Sequence, residues 1–224
     1  MSEYPFMIEG NPDYAFLTVK IPAGRTLRVE AASMAAMDPH VVMKTKLQGG
    51  FKRFLGGESL MLNDFSAAQS PGSISIGPGP AGDIAHYSAS DESPIFLASG
   101  AYLAAADTVS FDSKWEGFAK GFFSGGGLFL LKSKGKGDVW FNSYGALIEL
   151  DLEDDYVVDT GHIVAFTAGL SYEISRVGGY KSLFFSGEGL VCRFRGRGKV
   201  WIQTRNPSRL VAWAQAFRNV EKSN

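Results

Sequence analysis

The sequence predicts an all-β protein that contains three divergent copies of one β-unit, plus one C-terminal helix. Two observations lead to this prediction. Short blocks of sequence recur at a nearly constant spacing along the chain. The chain also has 27 glycines in 224 residues, roughly 12% against an average of about 7%, and they separate short strand-like runs. Many short strands joined by glycine-rich turns are typical of β-sandwiches and barrels.

The clearest repeat is an aromatic–glycine block. The run Phe122–Leu128 (FFSGGGL) returns 62 residues later as Phe184–Leu190 (FFSGEGL). Downstream, Gly135–Phe141 (GKGDVWF) returns 61 residues later as Gly196–Ile202 (GRGKVWI). A fainter copy of the first block lies at Phe54–Leu60 (FLGGESL). This spacing predicts one compact domain with repeats at residues 5–77, 82–141 and 144–202.

Each repeat is expected to follow one plan. An extended segment leads into a tight turn, at Gly24, Gly100 or Gly161. A strand follows, for example Thr26–Glu30, whose alternation of apolar and polar residues fits a half-buried strand. In the last two repeats a Gly-basic-Gly segment is predicted to form a hairpin, because glycine accepts positive φ.

One helix is predicted within the C-terminal segment 206–219, from Pro207 to about Asn219. The side chain of Asn206 can cap it, and Pro207 suits the first helical position. One face of the helix is apolar and consists of Leu210, Trp213, Ala214 and Phe217. Short helical turns are also expected near Ser113–Phe122 and Val177–Leu183.

Composition predicts a soluble, cytoplasmic protein. The formal net charge of -1 gives no global field that favours nucleic acid or an acidic partner. The single cysteine, Cys192, fits a reducing compartment. No secretory signal and no run of 18 apolar residues is present.

The first repeat resembles a known family. The residues that carry the resemblance are the run Glu30–Asp38 (EAASMAAMD), Gly49–Arg53 (GGFKR) and the turn Pro80–Ile84 (PAGDI). Together with the turn at Pro22–Gly24, they resemble the altered-inheritance-of-mitochondria protein 24 family over nearly the whole chain. The resemblance implies a fold similar to the tryptophan RNA-binding attenuation protein, with three β-sandwich-like repeats per chain in pseudo-threefold symmetry, of the double-stranded β-helix type. It also implies a homotrimer. It implies no catalytic residue and no agreed activity; the mitochondrial relatives are tied to inner-membrane organisation.

The reactive side chains do not form a catalytic or metal-binding pattern. The histidines His40, His86 and His162 lack the spacing of a metal site, so structural or surface roles are expected. Cys192 lies in an apolar strand and is expected to be a packing residue. The acidic run 151–159 lacks the spacing of a calcium loop and is expected to be solvated. No cofactor is predicted, and the protein is expected not to be an enzyme.

Two surface features are candidates for interaction. A set of alternating basic residues is either a solvated face that protects a sheet edge or an anion-binding patch for lipid headgroups, nucleic acid or an acidic protein. Its members are Lys132, Lys134, Lys136, Arg193, Arg195, Arg197 and Lys199. An apolar segment suits a subunit interface, or secondarily a membrane surface. Its candidate contact residues are Trp115, Phe118, Phe122, Phe123 and Phe129.

These features favour a non-enzymatic, homotrimeric assembly or interaction protein. One alternative is a binding module for an anionic partner that uses the basic hairpins. A second alternative is a small-ligand binder or enzyme with a pocket between repeats.

Overall fold

A computed structural model describes residues 2–47, 61–116, 128–176 and 190–218. Within these ranges the chain is mainly β-strand, and one α-helix, α1 (Pro207–Gln215), lies near the C-terminus. The strands in chain order are β1 (Phe6–Glu9), β2 (Phe16–Ile21), β3 (Arg25–Glu30), β4 (Met34–Met37), β5 (Val42–Leu47), β6 (Met61–Ala67), β7 (Gly72–Ile76), β8 (Ile84–Ala89), β9 (Ile95–Ala98), β10 (Tyr102–Ala106), β11 (Ser110–Glu116), β12 (Leu128–Lys134), β13 (Gly137–Asn142), β14 (Leu147–Leu152), β15 (Tyr156–Asp159), β16 (Ile163–Thr167), β17 (Leu170–Arg176), β18 (Leu190–Gly196) and β19 (Gly198–Gln203). The prediction of an all-β protein with one C-terminal helix is confirmed.

The described strands form four antiparallel sheets. Two sheets have six strands each, in the orders β5-β6-β3-β10-β13-β8 and β11-β12-β9-β16-β19-β14. A four-stranded sheet has the order β1-β2-β7-β4, and a three-stranded sheet has the order β15-β18-β17. Both six-stranded sheets therefore combine strands that are distant in sequence.

Strand burial follows the alternation in the sequence. In β3 the side chains of Leu27 and Val29 are fully buried, whereas Arg28 between them is only partly buried. The central strand β10 is buried at every residue, and its run Ala104–Ala106 is made of small side chains. Small side chains on β10 allow other elements to pack closely against both faces of the strand.

Aromatic side chains fill much of the core. Trp140, Tyr102 and Phe141 are among the largest fully buried side chains of the larger cluster. In the second cluster the rings of Phe96 and Phe166 stack with centroids 4.8 Å apart. Such stacked rings add about 0.5–1.5 kcal/mol beyond the area they bury.

The Gly-basic-Gly segments are not hairpins, contrary to the prediction. The strands β12 and β13 on either side of Gly135–Gly137 belong to different sheets, and the same is true of β18 and β19 around Gly196–Gly198. A hairpin is impossible because β12 and β18 each have neighbours on both edges already. The expected positive φ is present, at +88° in Gly135 and +101° in Gly196. These segments are corners at which the chain passes between sheets.

The C-terminal helix starts where the sequence predicts. The side chain of Asn206 accepts a hydrogen bond from the Ser208 amide at 2.9 Å, and Pro207 is the first helical residue. The helix ends at Gln215, earlier than predicted, and none of its residues is buried. The helical turn expected from Ser113 is wrong in its first part, because Ser110–Glu116 is strand β11. The rest of that turn and the one at 177–183 lie outside the described residues.

Candidate interaction surfaces

The basic residues of the second predicted repeat have local partners. Lys132 lies over the ring of Phe96, with its Nζ 5.6 Å from the ring centroid. The Nζ of Lys134 is 2.6 Å from a carboxylate oxygen of Asp112 on the neighbouring strand, and this hydrogen bond raises the pKa of Lys134. Lys136 is exposed at the corner after β12.

The basic residues of the third predicted repeat are divided between two sheets. Arg193 and Arg195 are exposed on one face of β18. The Asp155 carboxylate lies 3.4 Å from Arg195 and 3.9 Å from Arg193, and Glu173 is 3.8 Å from Arg195. Arg197 is exposed at the corner.

The alternation of Arg193, Arg195, Arg197 and Lys199 in the sequence does not place all four on one strand face, because Lys199 belongs to β19 in another sheet. Lys199 forms ion pairs with Glu149 and Asp151 on the adjacent strand β14. Carboxylates from neighbouring strands therefore offset much of the positive charge that the sequence shows as a stripe.

The predicted apolar interface segment is described only in part. Trp115 on β11 is directly opposite Phe129 on β12 in the antiparallel register. Phe118, Phe122 and Phe123 lie outside the described residues.

The three histidines have separate structural partners. His40 Nε2 is 3.1 Å from the Pro71 carbonyl oxygen, and His162 Nδ1 is 2.7 Å from that of Gln203. His86 pairs with Asp138 at 2.7 Å. Among the described residues, no group of three or more His, Cys, Asp or Glu side chains is placed to hold a metal ion.

Cys192 is fully buried, as expected from its apolar surroundings. Burial raises the pKa of its thiol to about 12. A buried thiol with so high a pKa has almost no thiolate at neutral pH and is a poor nucleophile.

A buried polar cluster around Asp138 is absent from the sequence predictions. The side chain of Asp138 on β13 is 3% exposed. Its carboxylate accepts hydrogen bonds from Ser2 Oγ at 2.8 Å, the Glu3 amide at 2.9 Å and the Tyr4 amide at 3.2 Å. Together with His86, these contacts attach the N-terminal segment to a six-stranded sheet.

The charge of Asp138 is stabilised inside this cluster. Burial alone would raise the pKa of the carboxyl, but the hydrogen bonds from His86, Ser2 and the Tyr4 amide outweigh burial and hold the pKa below its ordinary value. The rings of Phe6 and Trp140 pack against His86, with centroids 4.6 and 5.4 Å away. The arrangement orients and anchors the chain.

A second group of charges lies at the other end of the Tyr4 side chain. The Tyr4 hydroxyl donates to the Thr26 carbonyl at 2.9 Å and is 3.2 Å from Asp107. The guanidinium of Arg25 binds Asp107 at 3.0 Å and Glu3 at 3.1 Å. Burial, together with the nearby Asp107 carboxylate, raises the pKa of Tyr4 to about 12.

Among the open strand edges, those of β4 and β15 expose apolar side chains. Among the described strands, β4 pairs only with β7, and β15 pairs only with β18. Met34 and Met37 of β4 are directly opposite the buried Ile76 and Ile74, yet they are 36% and 38% exposed. Tyr156 of β15 is opposite the buried Phe194 and is 45% exposed. Side chains on the core side of both edges are thus incompletely covered.

Comparison with known proteins places the chain in a family. Residues 6–205 match the family described as Mitochondrial biogenesis AIM24. The chain belongs to the AIM24 family. The resemblance noted in the sequence is thereby confirmed.

Two similar proteins come from a bacterium. An uncharacterized protein of Streptococcus pyogenes serotype M6 is 26% identical over 214 residues, covering 90% of this chain and 86% of the relative. A crystal structure of a Streptococcus pyogenes protein has a TM-score of 0.81 at 24% identity, covering 96% of this chain and all of the other. The second comparison establishes similarity of fold.

The helices that the structure describes are too short or too polar to span a membrane.

Proposed function

We propose that this AIM24-family protein is a non-enzymatic, homotrimeric assembly or interaction protein made of three copies of a six-strand unit. The units are β2–β7, β8–β13 and β14–β19. In each unit the sixth strand pairs with the first and the third, and the fifth strand pairs with the second and the fourth. β1 is an additional strand at the edge of the first unit.

A recurring β-bulge supports this division. In each unit the register between the third and sixth strands shifts at the second position of the third strand. The residues on either side of the shift are Met34 and Ala36, Tyr102 and Ala104, and Ile163 and Ala165. β-bulges are conserved within protein families, so a bulge at the same position in each unit indicates that the units are related.

A recurring charged pair supports the same division. After the bulge, the third strand continues with Met37, Ala105 or Phe166 in the three units. Seven positions further along the chain, the fourth strand of each unit has a charged residue. That charged residue is directly opposite a residue of unlike charge on the fifth strand. The pairs are Lys44–Asp64, Asp112–Lys132 and Glu173–Arg193.

This division differs from the sequence analysis, which treated Gly24, Gly100 and Gly161 as equivalent turns. Gly24 connects the first and second strands of its unit, whereas Gly100 and Gly161 lie between the second and third strands. The matching connection of the first unit contains Ala32, which has a φ of +68°.

The assembly proposal is supported by a pairing between strands of neighbouring units that occurs twice in the chain but is missing at a third place. The second strand of the first unit pairs with the third strand of the next (β3 with β10), and the same contact joins the second and third units (β9 with β16). The remaining second strand, β15, and the remaining third strand, β4, are both open edges with exposed apolar side chains. A subunit contact at these edges would cover their exposed core-side residues.

The oligomeric state tests this proposal. Light scattering at micromolar concentration is expected to give three times the chain mass of 24.2 kDa. A monomer at that concentration would overturn the homotrimer.

Binding of an anionic partner is the second candidate function. Lys136 and Arg197 occupy equivalent exposed corners, and neither forms an ion pair with the described residues. Co-sedimentation with anionic phosphatidylserine vesicles, and binding to RNA, are expected to fall with salt and in the double variant Lys136→Glu, Arg197→Glu. Absence of binding to both at low salt would exclude this candidate.

A further inference from the structure

We propose that β4 of one copy pairs antiparallel with β15 of a second copy, so that a strand-to-strand junction joins the subunits. This inference rests on the assembly role proposed above and identifies its contact. The partner is a second copy of this chain, and the surface on each copy is an open strand edge.

The two junctions inside the chain specify the register of the third. In the first, Arg28 is opposite Ala105 and Val29 is opposite Ala104. In the second, Phe96 is opposite Phe166 and Leu97 is opposite Ala165. By the position of the bulge, Met37 and Ala36 of β4 are equivalent to Ala105 and Ala104 of β10. By the position of the charged pairs, Val157 and Val158 of β15 are equivalent to Arg28 and Val29 of β3. The expected pairs are therefore Val157 with Met37 and Val158 with Ala36.

The side chains at these positions suit such a contact. In the existing junctions the third strand is covered, since β10 is buried throughout and β16 in all but its last residue. The equivalent strand β4 is exposed at all four residues. On β15, Tyr156 and Val157 are 45% and 49% exposed. Pairing would cover these apolar side chains and satisfy the outward-facing backbone N–H and C=O groups of both edges.

The chain order favours a second copy over closure within one chain. Each internal junction joins a unit to the unit that follows it. The third unit is followed by no further unit among the described residues, and β15 and β4 do not pair with each other. The first unit of another copy supplies the missing strand. Such a head-to-tail contact is heterologous, and it closes into a ring when the rotation between copies is right.

Cysteine cross-linking between copies tests the contact and its register. Met37→Cys and Val157→Cys are made in separate chains, mixed and oxidised. Because directly opposite residues have Cα atoms about 4.5–5.5 Å apart, within the range of a disulfide, the mixture is expected to form a disulfide-linked dimer on a non-reducing gel. Ala36→Cys with Val158→Cys is a second pair, which covers the case where geometry disfavours the first. The native Cys192 is buried and contributes little background.

The control pair uses the opposite edge of the same sheet. Met7 on β1 is 53% exposed, and Met7→Cys mixed with Val157→Cys is expected not to cross-link. Met37→Lys is expected to weaken association at least tenfold, because a charge on an edge strand opposes pairing. Met7→Lys is expected to leave association unchanged.

The outcomes separate this inference from the proposed function. A trimer that cross-links through neither pair would overturn the β4–β15 contact and leave the assembly role. A chain carrying both Met37→Cys and Val157→Cys that forms an internal disulfide as a monomer would show closure within one chain and overturn the contact between copies. A monomer without either cross-link would overturn both proposals.

Discussion

Replacement of Asp138 by alanine is expected to detach the N-terminal segment. The carboxylate accepts four hydrogen bonds, from His86 at 2.7 Å, Ser2 Oγ at 2.8 Å and the amides of Glu3 and Tyr4 at 2.9 and 3.2 Å. In Asp138→Ala these donors lose their acceptor, and any that stay shielded from water are left unpaired. The loss is therefore larger than the net value of the bonds.

The expected cost is about 3 kcal/mol in the free energy of unfolding. Removal of one partner of a buried pair costs about 3–5 kcal/mol, and the lower end applies because the side chain of His86 is 19% exposed and can be hydrated. For a chain of this size each kcal/mol shifts Tm by about 2–4 °C, so a decrease of about 6–12 °C is expected. Urea unfolding gives the free energy, and hydrogen exchange at Glu3 and Tyr4 reports on the segment itself.

Acid should reduce the difference in stability between wild type and Asp138→Ala. The pKa of Asp138 is lower in the folded protein than its ordinary value near 4, so its ionised form stabilises the fold above that value. The stabilisation is lost as the pH falls through the lowered pKa. The difference between the two free energies of unfolding is expected to become smaller as the pH falls below about 4.

A matched control is Asp112→Ala, which removes a carboxylate from an exposed ion pair with Lys134. It is expected to have little effect on unfolding, because exposed pairs contribute little. The reasoning is refuted if Asp138→Ala loses less than about 1 kcal/mol, or if the hydrogen exchange of Glu3 and Tyr4 does not change.

Three further predictions concern a corner, a thiol and a core side chain. Gly135→Ala should destabilise the fold by about 2 kcal/mol in urea unfolding, because Gly135 has a positive φ and an added methyl group would clash with the Thr108 carbonyl oxygen. The control Gly100→Ala should be close to neutral, because Gly100 has an ordinary φ and open space around it. Cys192 should not react with a thiol reagent in the native protein at pH 8 but should react in denaturant; fast native reaction would contradict its burial. Trp140→Ala should cost about 3–5 kcal/mol in the same unfolding assay. Trp140→Phe should cost less than half of this, because the indole N–H has no hydrogen-bond partner among the described residues. Equal losses in the two variants would show that the indole N–H contributes to stability.

Local structure was predictable where a residue acts through its own neighbours. The alternation in Thr26–Glu30 predicts a strand, and Asn206 with Pro207 predicts the start of α1. Pairing between distant strands was not predictable in this way. The arms around Gly196 look like a hairpin in sequence, yet their partners lie on β15, β17, β14 and β16. The matching connection of the first unit also lacks a glycine, because Ala32 lies where the other two units have Gly100 and Gly161.

The candidate surfaces depended on contacts that have no sequence signature. The basic residues of β18 alternate as predicted, but their neutralising partners come from elsewhere: Asp155 directly precedes β15, and Glu173 lies on β17. Asp138 binds backbone amides of Glu3 and Tyr4, about 135 positions away, and any residue type could supply those groups. The open edges become visible only once the pairings of all other strands are known.

The order of charge in the fourth- and fifth-strand pairs bears on how the chain avoids misassembly. The first unit has its cation on the fourth strand (Lys44), whereas the other two have an anion there (Asp112 and Glu173). If β5 paired by mistake with β12, Lys44 would face Lys132, and if β11 paired with β6, Asp112 would face Asp64. Like charges directly opposite destabilise a strand pair, and exchange of strands between copies is a characteristic failure of repeat proteins. The reversed polarity is therefore expected to disfavour pairing between these strands of the first unit and those of the other two during folding.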